Sequence, residues 1–159
     1  MSAVDIHGGD ELRDLYRELI LDHSRSPRHF GKLEDATHSA EGINPLCGDK
    51  LRLYLQLDNN ERILDAAFEG SGCAISVASA SLLTDLVIGM PVEDALNYFR
   101  VVTGHLTQTN NIDTETIDLG KIRALDGVRD FPSRVKCATL AWHALKSAIH
   151  NQNVPVSTE

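Results

Sequence analysis

The sequence predicts an α+β domain in which helices pack on one face of a small antiparallel β-sheet. Leu51-Arg52-Leu53-Tyr54-Leu55-Gln56-Leu57 alternates strictly, the two-residue period of a strand with one leucine face. A turn signal, Asp58-Asn59-Asn60, separates it from a second alternating stretch, so the two form a hairpin. After Cys73 the patterning changes to helical periods and stays there. Hairpin first and helices after is the order of a segregated α+β arrangement.

The elements follow in chain order. The first ten residues read as a frayed lead. Asp10 is the expected N-cap of a first helix whose apolar face is Leu12, Leu15, Tyr16, Leu19 and Ile20 and which ends near His23. Ser24-Arg25-Ser26-Pro27 breaks it, and a third strand is expected around Thr37 to Gly42. In the hairpin, Leu64, Ala66 and Phe68 line one face of the second strand. Cys73 opens a small-residue buried helix that runs to about Ile88, with Gly89 as its stop. Pro91 begins another, supported by Glu93 and Asp94 in the first turn and by an apolar face at Val92, Ala95, Leu96 and Phe99. Thr107 to Phe131 is irregular and polar at Gln108 to Asp113, with a short docked helix at Leu119, Ile122 and Leu125. Pro132 starts the last helix, whose buried stripe is Val135, Ala138, Trp142, Leu145 and Ile149. The tail, residues 151–159, reads as loose, and the whole chain, 1–159, as one domain.

Composition excludes several function classes. A net charge of −8 disfavours nonspecific nucleic-acid binding. No apolar run reaches the length of a membrane span, and Met1-Ser2-Ala3-Val4-Asp5 lacks the basic and apolar regions of a signal peptide. A cytoplasmic protein is expected, in a compartment where thiols stay reduced and clustered cysteines mean metal or redox chemistry.

The chain has three cysteines, an odd number that argues against a purely disulfide framework. Cys47 stands in Asn44-Pro45-Leu46-Cys47-Gly48-Asp49, Cys73 in Gly70-Ser71-Gly72-Cys73-Ala74-Ile75-Ser76, and Cys137 in Arg134-Val135-Lys136-Cys137-Ala138. Cys47, Cys73, Cys137 and Asp49 supply four ligand groups, the number a tetrahedral zinc site requires. Cys47 and Asp49, two apart in extended chain, point the same way. Cys73 and Cys137 each open a helix, where backbone N–H groups and the helix dipole stabilise a thiolate. Gly48, Gly70 and Gly72 permit tight turns beside the ligands. Three thiolates and a carboxylate around a divalent ion leave two excess negative charges. Arg134, one helical turn before Cys137, is placed to offset them, whereas Lys136 points about 100° around the helix. A carboxylate among thiolates is a harder, weaker ligand and leaves such a site easier to open. The seven histidines, His7, His23, His29, His38, His105, His143 and His150, show no ligand spacing. His23 and His105 are the outside candidates, and no histidine is marked as a base for a Cys/His hydrolase.

These motifs together resemble the IscU and NifU N-terminal proteins of iron–sulfur cluster biogenesis. The likeness extends from Leu15-Tyr16 and Ile20-Leu21-Asp22-His23-Ser24, through Pro27-Arg28, to about residue 149. Scaffold IscU proteins carry a histidine immediately before the last cysteine, where this chain has Lys136. The segment Thr107 to Phe131 also lengthens the stretch between the second and third cysteines. The run from Gly127 to Trp142 looks like the SufU class, associated with zinc-dependent sulfur transfer from a SufS-type cysteine desulfurase. The resemblance implies Zn²⁺ ligands at Cys47, Asp49, Cys73 and Cys137 and a functional neighbour at Arg134; Cys47 is the expected sulfur acceptor because its loop can move, whereas Cys73 and Cys137 are anchored at helix ends. The resemblance also implies a desulfurase partner and downstream iron–sulfur scaffold proteins. An IscU-like scaffold holding a transient iron–sulfur cluster on the same cysteines is the alternative; a structural zinc domain serving only protein contacts ranks last. The polar half of the insertion, Gln108 to Asp113, is expected to face a partner.

Overall fold

The computed structural model describes residues 2–108, 117–151 and 155–158, with side chains from residue 13 onward. Its elements are α1 (Ser2–Arg25), β1 (His38–Asn44), β2 (Asp49–Leu57), β3 (Ile63–Ser71), α2 (Ala74–Val87), α3 (Val92–Thr107), a 3₁₀ segment (Gly120–Val128), α4 (Pro132–Ile149) and β4 (Val156–Ser157). The sheet order is β3-β2-β1-β4. β1–β2 and β2–β3 pair antiparallel, as the hairpin reading expects, and β1 supplies the third strand.

Two features depart from the sequence reading of the sheet. The tail contributes β4, and Val156 and Ser157 pair in parallel with Gly42 and Ile43, which makes the sheet mixed. A two-residue strand is too short to leave a periodic signal; the open edge of β1 supplies its partners. In β3 the expected face of Leu64, Ala66 and Phe68 is kept only in part. Ala66 and Phe68 are buried, but Leu64 is exposed and Ile63 is buried in its place. A register shift falls between Gln56 and Leu57 where they meet Asp65 and Ile63, and one unpaired residue reverses which side chain faces inward.

Leu51, Leu53 and Leu55 of β2 point from the inner face into a core shared with α2 and α4. The outer face carries Glu41, Lys50 and Arg52, joined by ion pairs from Glu41 to Lys50 (3.4 Å) and Arg52 (3.2 Å). α4 keeps the predicted stripe of Val135, Ala138, Trp142 and Leu145 buried and adds Leu140, Ala141 and Ala144. It is therefore enclosed on more than one side, against β1, α2 and α3. Ser79 Oγ donates to the carbonyl of Ala138 across the α2–α4 contact, which the small residues of α2 allow to be close.

α1 begins at Ser2, well before the expected Asp10. Ile20 is buried and Tyr16 and Leu19 pack on the core, but Leu15 is exposed, so the expected apolar face joins the core only in its later turns. The expected docked helix is the 3₁₀ segment, with Leu119, Ile122 and Leu125 buried. His105 and Asp126 hold it to α3 through a 2.8 Å contact, and Arg129 Nε donates to the carbonyl of His105. Of the polar stretch expected to face a partner, residues 109–113 lie outside the described residues; Gln108 donates to the carbonyl of Arg129.

Candidate metal centre

Four chain segments meet at one end of the sheet. Asn44 and Asp49 are the last paired residues of β1 and β2, so the connection from Pro45 to Gly48 is a tight hairpin loop carrying Cys47. Gly48 has φ of +71°, a conformation that costs a residue with a side chain about 1–2 kcal/mol. Cys73 is the N-cap residue of α2, directly after β3. Cys137 lies in the second turn of α4.

One ligand atom each of Cys47, Asp49 and Cys137 lies within 4.8 Å of the others. Cys73 stands beside this group: its Sγ is 4.0 Å from Asp49 Oδ2, and its backbone N–H donates to Asp49 Oδ1 at 2.8 Å. All four expected ligands are thus gathered at one place. They differ sharply in access, because Cys47 is exposed, Cys73 half-buried, and Asp49 and Cys137 are each 1% exposed.

The backbone around Asp49 is shaped to its carboxylate. A Cβ at Gly72 would lie 2.4 Å from Asp49 Oδ1, so only glycine lets the α2 entry close onto this side chain. A buried carboxylate requires hydrogen bonds on both oxygens, and Asp49 has them: Cys73 N–H on Oδ1 and Asn44 Nδ2 (3.2 Å) on Oδ2. Asn44 Nδ2 also donates to Cys137 Sγ at 3.4 Å. Asn44 is a functional residue that sequence reading missed. Its only signal was its place at the head of the Asn-Pro-Leu-Cys-Gly-Asp run, and asparagine before proline ordinarily marks a turn.

Burial pushes the Cys137 thiol up, and its hydrogen bonds with Asp49, Cys47 and Cys73 add to the rise. The expectation that a helix N-terminus favours a thiolate applies to Cys73 but not to Cys137. That residue sits beyond the first turn of α4, and its Sγ lies 3.6 Å from the carbonyl of Ser133. Three sulfurs and a carboxylate that crowd one another so closely are unfavourable as free anions. A divalent cation would relieve that, letting the thiols deprotonate and cancelling charge. The donor set fits zinc, whose tetrahedral ligands stand roughly 3.5–3.8 Å apart for bonds of about 2.0–2.3 Å.

Arg134 does not meet the expectation of a guanidinium over the cluster. It is exposed in the first turn of α4, and among the described residues no hydrogen bond or ion pair joins its side chain to a ligand. It lines a groove with Arg17, Ile20, Ile75 and Phe131. Neither outside histidine candidate is at the site. His23 is buried against Ser81 Oγ (2.7 Å), and His105 is engaged with Asp126.

Comparison with known proteins agrees with this geometry. The sequence model of the NifU-like N-terminal domain matches residues 15–138. The zinc-dependent sulfurtransferase SufU of Bacillus subtilis is 44% identical over 138 residues, 87% of this chain and 91% of that protein. The iron–sulfur cluster assembly scaffold protein IscU of Streptococcus pyogenes is 42% identical over 139 residues, 87% of this chain and 85% of that protein. A crystal structure of a SUF-system iron–sulfur cluster assembly scaffold protein from Fervidobacterium islandicum superposes with a TM-score of 0.76 at 35% identity, covering 83% of this chain and 94% of that one. With the family model matching from α1 to α4, and Cys47, Asp49 and Cys137 brought together at one end of the sheet, this chain belongs to the NifU-like N-terminal domain family of iron–sulfur cluster assembly proteins.

Proposed function

We propose that this chain is a zinc-dependent sulfur acceptor in iron–sulfur cluster assembly, working in the cytoplasm with a SufS-type cysteine desulfurase. The observation that carries the reading is the asymmetry of the cluster: one sulfur on an exposed hairpin loop, the others anchored in or at the mouth of the core. Cys47, Asp49, Cys73 and Cys137 are the ligands, and zinc supplies the positive charge that holds their thiols deprotonated. Cys47 is the acceptor. Its thiolate attacks the outer sulfur of the donor's persulfide, R–S–SH; a new S–S bond forms to Cys47, the donor S–S bond breaks, and R leaves as a thiolate. The sulfur and its proton move together, so no net oxidation or reduction occurs. Arg134, exposed one turn before Cys137, offers a positive charge to the incoming persulfide. Cys47 then passes its sulfur to downstream iron–sulfur scaffold proteins.

The scaffold reading remains a rival because a relative of nearly the same identity carries that name. Lys136 in place of the scaffold histidine favours transfer. The deciding experiment is metal and colour analysis of the isolated protein, followed by mixing with a desulfurase and mapping persulfide by mass spectrometry. Colourless protein with one zinc per chain and persulfide on Cys47 is expected. Brown protein with stoichiometric iron and sulfide, stable without zinc, would sink the proposal.

A further inference from the structure

We propose that Asn44 is the positioning residue that holds Cys137 back and leaves Cys47 as the sulfur that reacts. The inference rests on the transfer reading above, and it explains a selectivity that exposure alone does not guarantee once a partner opens the site.

Asn44 is fully buried, and its carboxamide nitrogen is used twice, toward Asp49 Oδ2 at 3.2 Å and toward Cys137 Sγ at 3.4 Å. A carboxamide has two N–H groups, so its donor capacity is spent on these two ligand atoms. Its Oδ1 is buried without a partner among the described residues. Flipping the amide would aim Oδ1 at the carboxylate and the sulfur, acceptor against acceptor, so the orientation is fixed by the ligands. A buried side chain that leaves its own acceptor unpaired is held there for its donors.

The same residue governs the loop opposite. Its backbone pairs with Asp49, and its carbonyl accepts the N–H of Cys47 at 3.3 Å. Among the described residues no N–H group donates to Cys47 Sγ; its side-chain hydrogen bond is with the thiol of Cys137, another ligand. An N–H···S bond draws electron density from a metal-bound sulfur, lowering its nucleophilicity while fixing its position. Outer-shell donors tune metal ligands in this way. Cys137 is therefore quietened and pinned, and Cys47 is neither. Asn44 differentiates sulfurs that the metal alone would treat alike.

The test needs the full-length protein only. Loaded with an NMR-active cadmium isotope and labelled with heavy nitrogen, the wild type should show scalar coupling between a side-chain N–H of Asn44 and the metal, carried through Cys137 Sγ. Absence of that coupling overturns the proposal without any variant. Asn44→Asp keeps the shape and removes the donors; Asn44→Ala removes both. In either, the thiolate-to-metal charge-transfer band of the cobalt-substituted protein should move to longer wavelength, and metal affinity should fall roughly 10- to 100-fold. Iodoacetamide, followed by peptide mapping, should modify Cys47 first in the wild type and raise the share on Cys137 at least about tenfold in the variants. Persulfide delivered by a desulfurase should redistribute in the same direction. Folded variants with an unshifted cobalt band and all modification still on Cys47 would overturn the role of Asn44 and leave the transfer reading intact. A wild type that takes no persulfide on any cysteine would sink the transfer reading, and the cadmium coupling and alkylation pattern would still decide what Asn44 does.

Discussion

The two hairpin connections of the sheet are made in opposite ways. The β2–β3 turn is tied down: Asp58 Oδ1 accepts the N–H groups of Asn60 and Arg62, and Asp58 N–H donates to the carbonyl of Arg62. Arg62 reaches the carbonyl of Gly89, while Val92 N–H meets the carbonyl of Glu61, so the start of α3 is fastened to the turn as well. The β1–β2 loop at the other end has one local backbone bond, Cys47 N–H to Asn44, and leaves Leu46 67% exposed beside Cys47. A turn whose backbone groups are satisfied locally resists opening, whereas one with few ties opens more readily. The proposed acceptor, Cys47, sits on the lightly held connection.

That contrast is broken most directly by exchanging its chemistry for alanine. Cys47→Ala should abolish sulfur acceptance and leave the chain folded with zinc on Cys73, Cys137 and Asp49, as read by persulfide mapping and metal content. Asp49→Ala should behave differently. The acceptor thiol survives, but a buried carboxylate that organises Cys73 and Asn44 is lost, at a cost of roughly 2–3 kcal/mol, or about 5–10 °C in Tm. Persulfide at normal yield on Cys73 or Cys137 in the Cys47→Ala protein would show that the lightly held loop is not the reactive one.

A smaller change sharpens the same end. Gly72→Ala places a methyl group 2.4 Å from Asp49 Oδ1, so the carboxylate must move off its bonds. Zinc affinity, measured by competition with a chelator, should fall about 10- to 100-fold with the three thiols untouched. Unchanged affinity would mean that Asp49 is not a ligand. At the tied end, Asp58→Ala removes two N–H partners and should cost about 1–2 kcal/mol, a few degrees in Tm, with no effect on metal or sulfur uptake. Loss of zinc in that variant would erase the distinction between the two connections.

Much of this was legible in the sequence, for identifiable reasons. Strict alternation marks β2, and each cysteine lies in a short motif that fixes its local backbone, so convergence of Cys47, Asp49, Cys73 and Cys137 could be foreseen. What escaped depends on distant geometry. The bulge opposite Gln56 that buries Ile63 and exposes Leu64 leaves no mark in a run of apolar residues. Helical spacing puts Arg134 on the side of Cys137 but cannot tell whether its long side chain turns inward or, as found, outward to a groove. Asn44 reads as a turn residue until two ligands from different elements are seen to share its amide.

The least conspicuous region gives the smallest expected effect and the control for pH. Metal binding is itself pH-dependent because its ligands must be deprotonated, so the metal-free chain isolates the response of the fold. Far from the lightly held end, His23 joins α1 to α2: Nδ1 meets Ser81 Oγ at 2.7 Å, and that oxygen also accepts the N–H of Arg28. Burial holds the His23 imidazole below its usual value of 6.5, reinforced by Arg28 and Lys121 and opposed by Asp22 and Asp85. The folded chain therefore resists a proton that the unfolded chain accepts. Stability from the neutral imidazole is fully present above the ordinary histidine range and is lost as pH falls through it toward the depressed folded value. In chelator-treated protein, where ligand release no longer contributes, Tm should drop between about pH 7.5 and about pH 5.5. His23→Gln should flatten that drop, whatever it does to Tm itself. An equally steep or steeper slope in the variant would assign the acid sensitivity of the metal-free fold to other groups. It would also leave His23 as a hydrogen-bonding residue whose charge state has no part in holding α1 to α2.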